Sequence, residues 1–203
     1  MRKNSVRQLT ISALLIAMGI IIPMVMPRIT IGPASFTLAS HVPVFLAMFI
    51  SPEAAIAVSL GTGFGFFLSA TPIIALRALS HLVFAVIGAM YLKKHPEVAL
   101  GSKQFSLLNG RFQLFNFVIA LIHSAIELVV ITAFYTMGNL PETYYTDGYI
   151  YSILLLMGVG GIIHSIVDFN IAYFLAGSLS KAFDIPVFTN AKKLLQKQVR
   201  ENA

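Results

Sequence analysis

The 203-residue sequence contains no cysteine, and only 11% of its residues are charged. The first absence excludes a disulfide scaffold. The second excludes a soluble globule of this size, because soluble domains carry about 25% charged residues to cover their surface. Glycine, at 14 residues, is too sparse for a collagen-like chain, and an apolar share of 57% is too high for disorder. No Walker-type phosphate loop exists. Gly61-Thr62-Gly63-Phe64-Gly65 is rich in glycine, but it follows no strand pattern and lacks a lysine. Any ATP hydrolysis that drives this protein must therefore occur on another chain.

What is present is apolar sequence in long runs, with a mean hydropathy of +0.83. An integral membrane protein is the class that remains. The net charge of +6 then fits basic cytoplasmic loops and need not mean nucleic acid. A helix needs about 20 apolar residues to cross the hydrocarbon core. Six segments approach that length: Leu9 to Met26, Phe36 to Ile50, Ala54 to Ala70, Pro72 to Leu92, Phe112 to Met137 and Tyr149 to Lys181. Ser51-Pro52-Glu53 and Thr71-Pro72 punctuate them as breakers and helix starts. The second and third are short for full spans. The tail, Asp184 to Ala203, is basic and amphipathic and reads as a helix on the surface.

Orientation follows from the basic residues. With the N-terminus inside, the inner set is Arg2, Lys3, Arg7, Lys93, Lys94, Lys103, Arg111, Lys181, Lys192, Lys193, Lys197 and Arg200. Arg28 alone faces out, and Arg77 lies within a span. Such asymmetry requires an even number of crossings. The expected fold is an all-α, six-helix transmembrane domain over residues 1–203 with both termini cytoplasmic.

Ionisable groups inside spans are unfavourable by about 2.5–3.5 kcal/mol each on insertion scales. This chain has three pairs at i, i+4: Arg77 and His81, His123 and Glu127, His164 and Asp168. Each pair occupies one helical face. His41 lies near the outer start of the second segment. Arg77 has no acid one turn away, so its partner is Glu127 or another acid from a neighbouring helix, or a ligand carboxylate, which a guanidinium grips bidentately. At 1.5 Å per residue, Arg77 lies about 8 Å and His81 about 14 Å below the outer end of the fourth segment. The groups outline a pocket opening outward, unless they serve only to hold helices together. Ile122-His123-Ser124-Ala125-Ile126-Glu127 also parallels Ile163-His164-Ser165-Ile166-Val167-Asp168.

The basic N-terminus, Thr10-Ile11-Ser12-Ala13-Leu14-Leu15-Ile16-Ala17, the six spans and the two short central segments resemble an S component, the substrate-capturing subunit of an energy-coupling factor (ECF) vitamin transporter. Ile31-Gly32-Pro33-Ala34-Ser35-Phe36-Thr37-Leu38-Ala39-Ser40-His41-Val42-Pro43 is similar to the pantothenate and niacin types. The resemblance implies a vitamin site under the outer loops, in the prokaryotic plasma membrane. It also implies docking through Ala13 and Ala17 to a transmembrane coupling subunit with two ATPase subunits. The expected binding residues are Arg77, His41, His81, His123, Glu127, His164 and Asp168. Pantothenate is the first-choice ligand, because its hydroxyls and amide suit several polar side chains, and niacin is the second. No enzyme activity, metal or resident cofactor is expected, ATP being used by the partners. Two other readings stand beside this one. A proton-coupled carrier would use the acids and histidines as a relay. A membrane metal enzyme would use His123, Glu127, His164 and Asp168 as ligands, although the spacing differs from the Glu-xx-His of di-iron bundles.

Overall fold

The computed structural model describes residues 2–100 and 105–201, and the side chains of residues 2–5 lie outside that description. Lys103, one of the expected inner basic residues, falls outside it, as do the Arg2 and Lys3 side chains. The described residues form seven α-helices and one hairpin, in the order α1 Arg2–Val25, β1 Arg28–Ile31, β2 Ala34–Thr37, α2 Val42–Met48, α3 Pro52–Ser69, α4 Pro72–Lys94, α5 Gly110–Thr136, α6 Gly160–Leu179 and α7 Pro186–Glu201. Ile150–Val159, leading into α6, is π-helical. Among the described residues, four helical stretches are long and apolar enough to cross a membrane: Val6–Val25, Pro72–Lys94, Gly110–Thr136 and Ile150–Leu179. The 18 residues of α3 span about 27 Å.

The helix starts follow the sequence punctuation. Ser51 caps α3 by accepting the Ala54 N–H at 3.1 Å, with Pro52 in the first turn. Pro72 opens α4, and Lys93 and Lys94 occupy its last turn, where they suit the helix dipole. Asn109 caps α5 by accepting the Arg111 and Phe112 N–H groups.

The all-α class holds, with one small addition between residues 28 and 50: Arg28–Ile31 and Ala34–Thr37 pair antiparallel as a hairpin. β-Branched residues and the Gly32-Pro33 link favour this, with Gly32 at the positive φ of 54° that the tight turn requires. One expectation does fail here: Phe36 to Ile50 is not one continuous helix. Only Val42–Met48 is α-helical, about 10 Å of it, packed among α1, α3, α4 and α6. Six of its seven residues are buried. A helix enclosed on every side is apolar on every side, which from sequence reads like a span.

Glycines leave room for neighbouring helices to approach. Gly61 and Gly65, one turn apart on α3, receive Ile16 and Ile20 of α1, while Gly63 faces Leu79 of α4. The glycine run is therefore a packing surface between three helices. At the end of the bundle away from the hairpin, aromatic rings fill the core. Phe45 stacks on Phe169 at 4.3 Å between centroids, and Phe112 on Tyr173 at 3.6 Å. The Tyr173 hydroxyl donates to the Ala99 carbonyl at 2.8 Å, tying α6 to the α4–α5 connection. The tail helix α7 is more than a surface helix. Its first turns bury Val187, Phe188 and Ala191, and the Val187 N–H donates to the Phe49 carbonyl at 3.3 Å.

The glycine seam predicts a graded response. Gly61→Leu or Gly65→Leu should destabilise the protein by about 1–3 kcal/mol through overpacking against α1. Gly61→Ala, whose Cβ meets only the movable side chain of Ile16, should have a smaller effect. Thermal unfolding in detergent measures both, and an unchanged midpoint in both leucine variants would contradict the seam.

Candidate functional site

A cavity of about 920 Å³ opens beside the hairpin, between the ends of α1, α3, α4, α5 and the Asn139–Tyr144 connection. Its wall carries His41, Arg77, His81, His123, Glu127 and His164, and Asp168 lies directly behind His41. All seven polar residues singled out in the sequence thus converge, from α4, α5, α6 and the N-cap of α2. The i, i+4 spacing is the reason, because each helix turns one two-residue face to the same interior.

The groups divide between two carboxylates. Glu127 receives Arg77 Nη2 at 3.1 Å on Oε2 and His81 Nε2 at 3.1 Å on Oε1. His123 Nε2 stands 3.7 Å from the same Oε1, too far for a hydrogen bond. The partner that Arg77 lacked on its own helix is therefore Glu127, one helix away. Both partners are largely withdrawn from solvent, and the guanidinium retains some access to the cavity.

Asp168 is fully buried and is spent largely on backbone. Its Oδ1 accepts the Ala39 N–H at 2.8 Å, and its Oδ2 accepts the His41 N–H at 2.9 Å. His41 Nδ1 also approaches Oδ2 at 3.1 Å, and His164 Nε2 lies 3.5 Å away. The carboxylate belongs to α6 and caps the entry to α2, where Ala39 sits at a φ of 64°.

His41 joins the two halves. Its ring centroid lies 4.8 Å from that of His81, 4.6 Å from His123 and 5.0 Å from His164, edge to face in each case. Three further contacts escaped the sequence reading. Ser165 Oγ lies 3.0 Å from His123 Nδ1, joining the two similar segments of α5 and α6. Ser40 Oγ lies 3.1 Å from His164 Nε2. Phe36 of β2 lies over His164 at 5.5 Å. The parallel Ile-His-Ser runs were the signal for Ser165. Nothing in the sequence marked Phe36, Asn139 or Tyr144 as cavity residues. Ala13 and Ala17 take no part in the cavity, and both are exposed on α1.

A buried charge pair predicts a characteristic double-mutant cycle. Glu127→Ala should destabilise the folded state by about 3–5 kcal/mol, by leaving the Arg77 guanidinium without its counter-charge. Adding Arg77→Ala should recover part of that loss. Thermal unfolding of the four proteins measures the coupling, and strict additivity would refute it.

The chain is 46% identical over 201 residues to the niacin transporter NiaX of Lactococcus lactis subsp. cremoris (strain MG1363). The alignment covers 97% of this chain and 85% of that protein. No protein-family model matches the chain, and no solved structure matches it. With identity of this degree across nearly the whole sequence, the chain belongs to the S components of ECF vitamin transporters, multi-pass proteins of the cell membrane that transport rather than catalyse.

Proposed function

We propose that this chain captures niacin as its carboxylate in the cavity beside the hairpin and delivers it by docking to an ATP-driven coupling module. The observation that carries the reading is Arg77. It is a charged guanidinium within a membrane-length helix, on the wall of a cavity, and still partly accessible. An arginine there suits a planar carboxylate through parallel hydrogen bonds. The imidazoles of His41, His81, His123 and His164 line the same wall and suit a small aromatic ring and its nitrogen. Niacin replaces pantothenate, the ligand expected first from the sequence, because the protein similar to this chain is a niacin transporter.

In this reading residues 1–203 form one transmembrane domain that crosses six times, with both termini cytoplasmic and the cavity facing out. The second crossing is composite, made of β2, the Leu38–His41 turn and α2. Irregular backbone at membrane depth is tolerated where protein encloses it or where it lines a cavity. The enclosure of α2 by four helices supports that arrangement. A transmembrane coupling subunit and two ATPase subunits complete the importer, and ATP is consumed there. The docking residues are Ala13 and Ala17, small side chains one turn apart on the outward face of α1.

Two measurements test the reading. Calorimetric titration of the purified chain should give tighter binding for nicotinate than for pantothenate. Arg77→Ala should weaken nicotinate binding about 10-fold or more, and Arg77→Lys should restore little, since a point charge replaces a fork. Unchanged affinity in a folded Arg77→Ala protein would sink the assignment.

The docking face has its own test. Ala13→Trp/Ala17→Trp should leave nicotinate affinity intact and abolish co-purification with the coupling subunit. Continued co-purification, or lost ligand binding, would reject it.

A further inference from the structure

The cavity wall concentrates more nitrogen donors than an anion anchor requires. We propose that His41, His81, His123 and Glu127 bind one divalent transition-metal ion of the zinc class, four-coordinate at rest and able to expand to a fifth, open position facing the cavity. This departs from the expectation of no metal. It rests on the proposed vitamin site only for what occupies the open position, not for the metal itself.

Geometry is the first support. One donor atom from each of the four residues lies within 4.8 Å of all the others. Tetrahedral zinc, with bonds of about 2.0–2.1 Å, separates neighbouring donors by about 3.4 Å. His81 Nε2 and His123 Nε2 stand 3.1 and 3.7 Å from Glu127 Oε1, on either side of that value. Three imidazoles and one carboxylate form a donor set suited to zinc and its neighbours in the transition series.

The surrounding bonds orient these ligands. Asp168 Oδ2 lies 3.1 Å from His41 Nδ1, which leaves Nε2 as the nitrogen a metal would use. Ser165 Oγ occupies His123 Nδ1 at 3.0 Å, with the same consequence. Arg77 holds Glu127 through Oε2 and leaves Oε1 toward the histidines. A carboxylate or hydroxyl behind a ligating histidine is the usual arrangement around protein-bound metals. His123 Nε2 is buried and has no hydrogen-bond partner, although buried ring nitrogens are ordinarily satisfied. A metal ion supplies the missing partner.

Charge is the third support. With neutral imidazoles, the cluster of Arg77, Glu127 and Asp168 carries one more negative charge than positive. Arg77 then attracts an entering carboxylate against two acids, one of them its own partner, and its pull is largely offset. A divalent ion reverses the sign and leaves one positive charge for one anion.

The test uses the purified full chain in detergent, stripped with a chelator and titrated with Co2+, then Zn2+. The expected result is one equivalent of Co2+, with the strong visible absorption of a four-coordinate ion, displaced by Zn2+. His81→Gln and His123→Gln should each weaken Zn2+ binding by about 100-fold or more, exceeding the loss usual for an outer-sphere partner. Circular dichroism and gel filtration establish that the variants are folded. His95→Ala, at the far end of α4, should bind as the parent does. Failure of the folded parent chain to take up stoichiometric metal overturns the proposal, as does equal binding in both glutamine variants.

Nicotinate titrated into the stripped and zinc-loaded chains reads the open position, with at least about 10-fold tighter binding to the loaded form expected. Equal affinity in the two forms overturns that position as a ligand contact. Bound zinc with no nicotinate binding in either form would sink the vitamin assignment and leave the metal site standing. Nicotinate binding by a chain that takes up no metal would do the reverse.

Discussion

The site depends on where Asp168 spends its charge. A fully buried carboxylate is strongly unfavourable unless its lone pairs are occupied, and this one is occupied chiefly by the Ala39 and His41 N–H groups. The chain must therefore bring the turn before α2 against α6 at one register. Ala39 adopts a left-handed conformation, rare for a residue with a Cβ, to make that approach. His41 is thereby fixed in the middle of the cavity wall by its own backbone, not by its side chain alone. The hairpin that precedes it is carried into place as the cavity's upper wall, with Phe36 against His164.

Glu127 plays a different part from Asp168, although both end an Ile-His-Ser segment. Asp168 faces backbone and is sealed. Glu127 faces Arg77 and His81 and lines the cavity. The related local sequences thus place one acid in the scaffold and one on the cavity wall. The difference arises from the helices opposite: α4 offers Arg77 across from α5, whereas the entry to α2 offers unsatisfied N–H groups across from α6.

The convergence of the polar residues was legible in the sequence because helical periodicity makes i, i+4 pairs share a face, and membrane-buried polar groups must find one another. The glycine run was legible as something other than a phosphate loop, though the helices it packs against were not. The identity of residues 36–50 was not legible, since Val42–Met48 is surrounded by protein and its composition mimics lipid exposure. The hairpin was hidden because its strands are only four residues each, and β1 is wholly exposed. The π-helical start of the last span had no local signal. Asp168 was identified as a candidate ligand contact from its pairing with His164, while its capping of a distant turn depends on tertiary structure that no local pattern encodes.

Below the histidines the interior changes character at once. Phe84 lies 4.4 Å from His123, and Phe45, Phe169, Phe112, Tyr173 and Phe188 continue ring by ring toward the opposite end of the bundle. All six rings are buried, and all but one carry no hydroxyl. Four clustered imidazoles at membrane depth would otherwise be good material for a proton wire. In the aromatic column beneath them the one hydroxyl, that of Tyr173, donates to the Ala99 carbonyl, so these six rings themselves supply no relay along which a proton could hop.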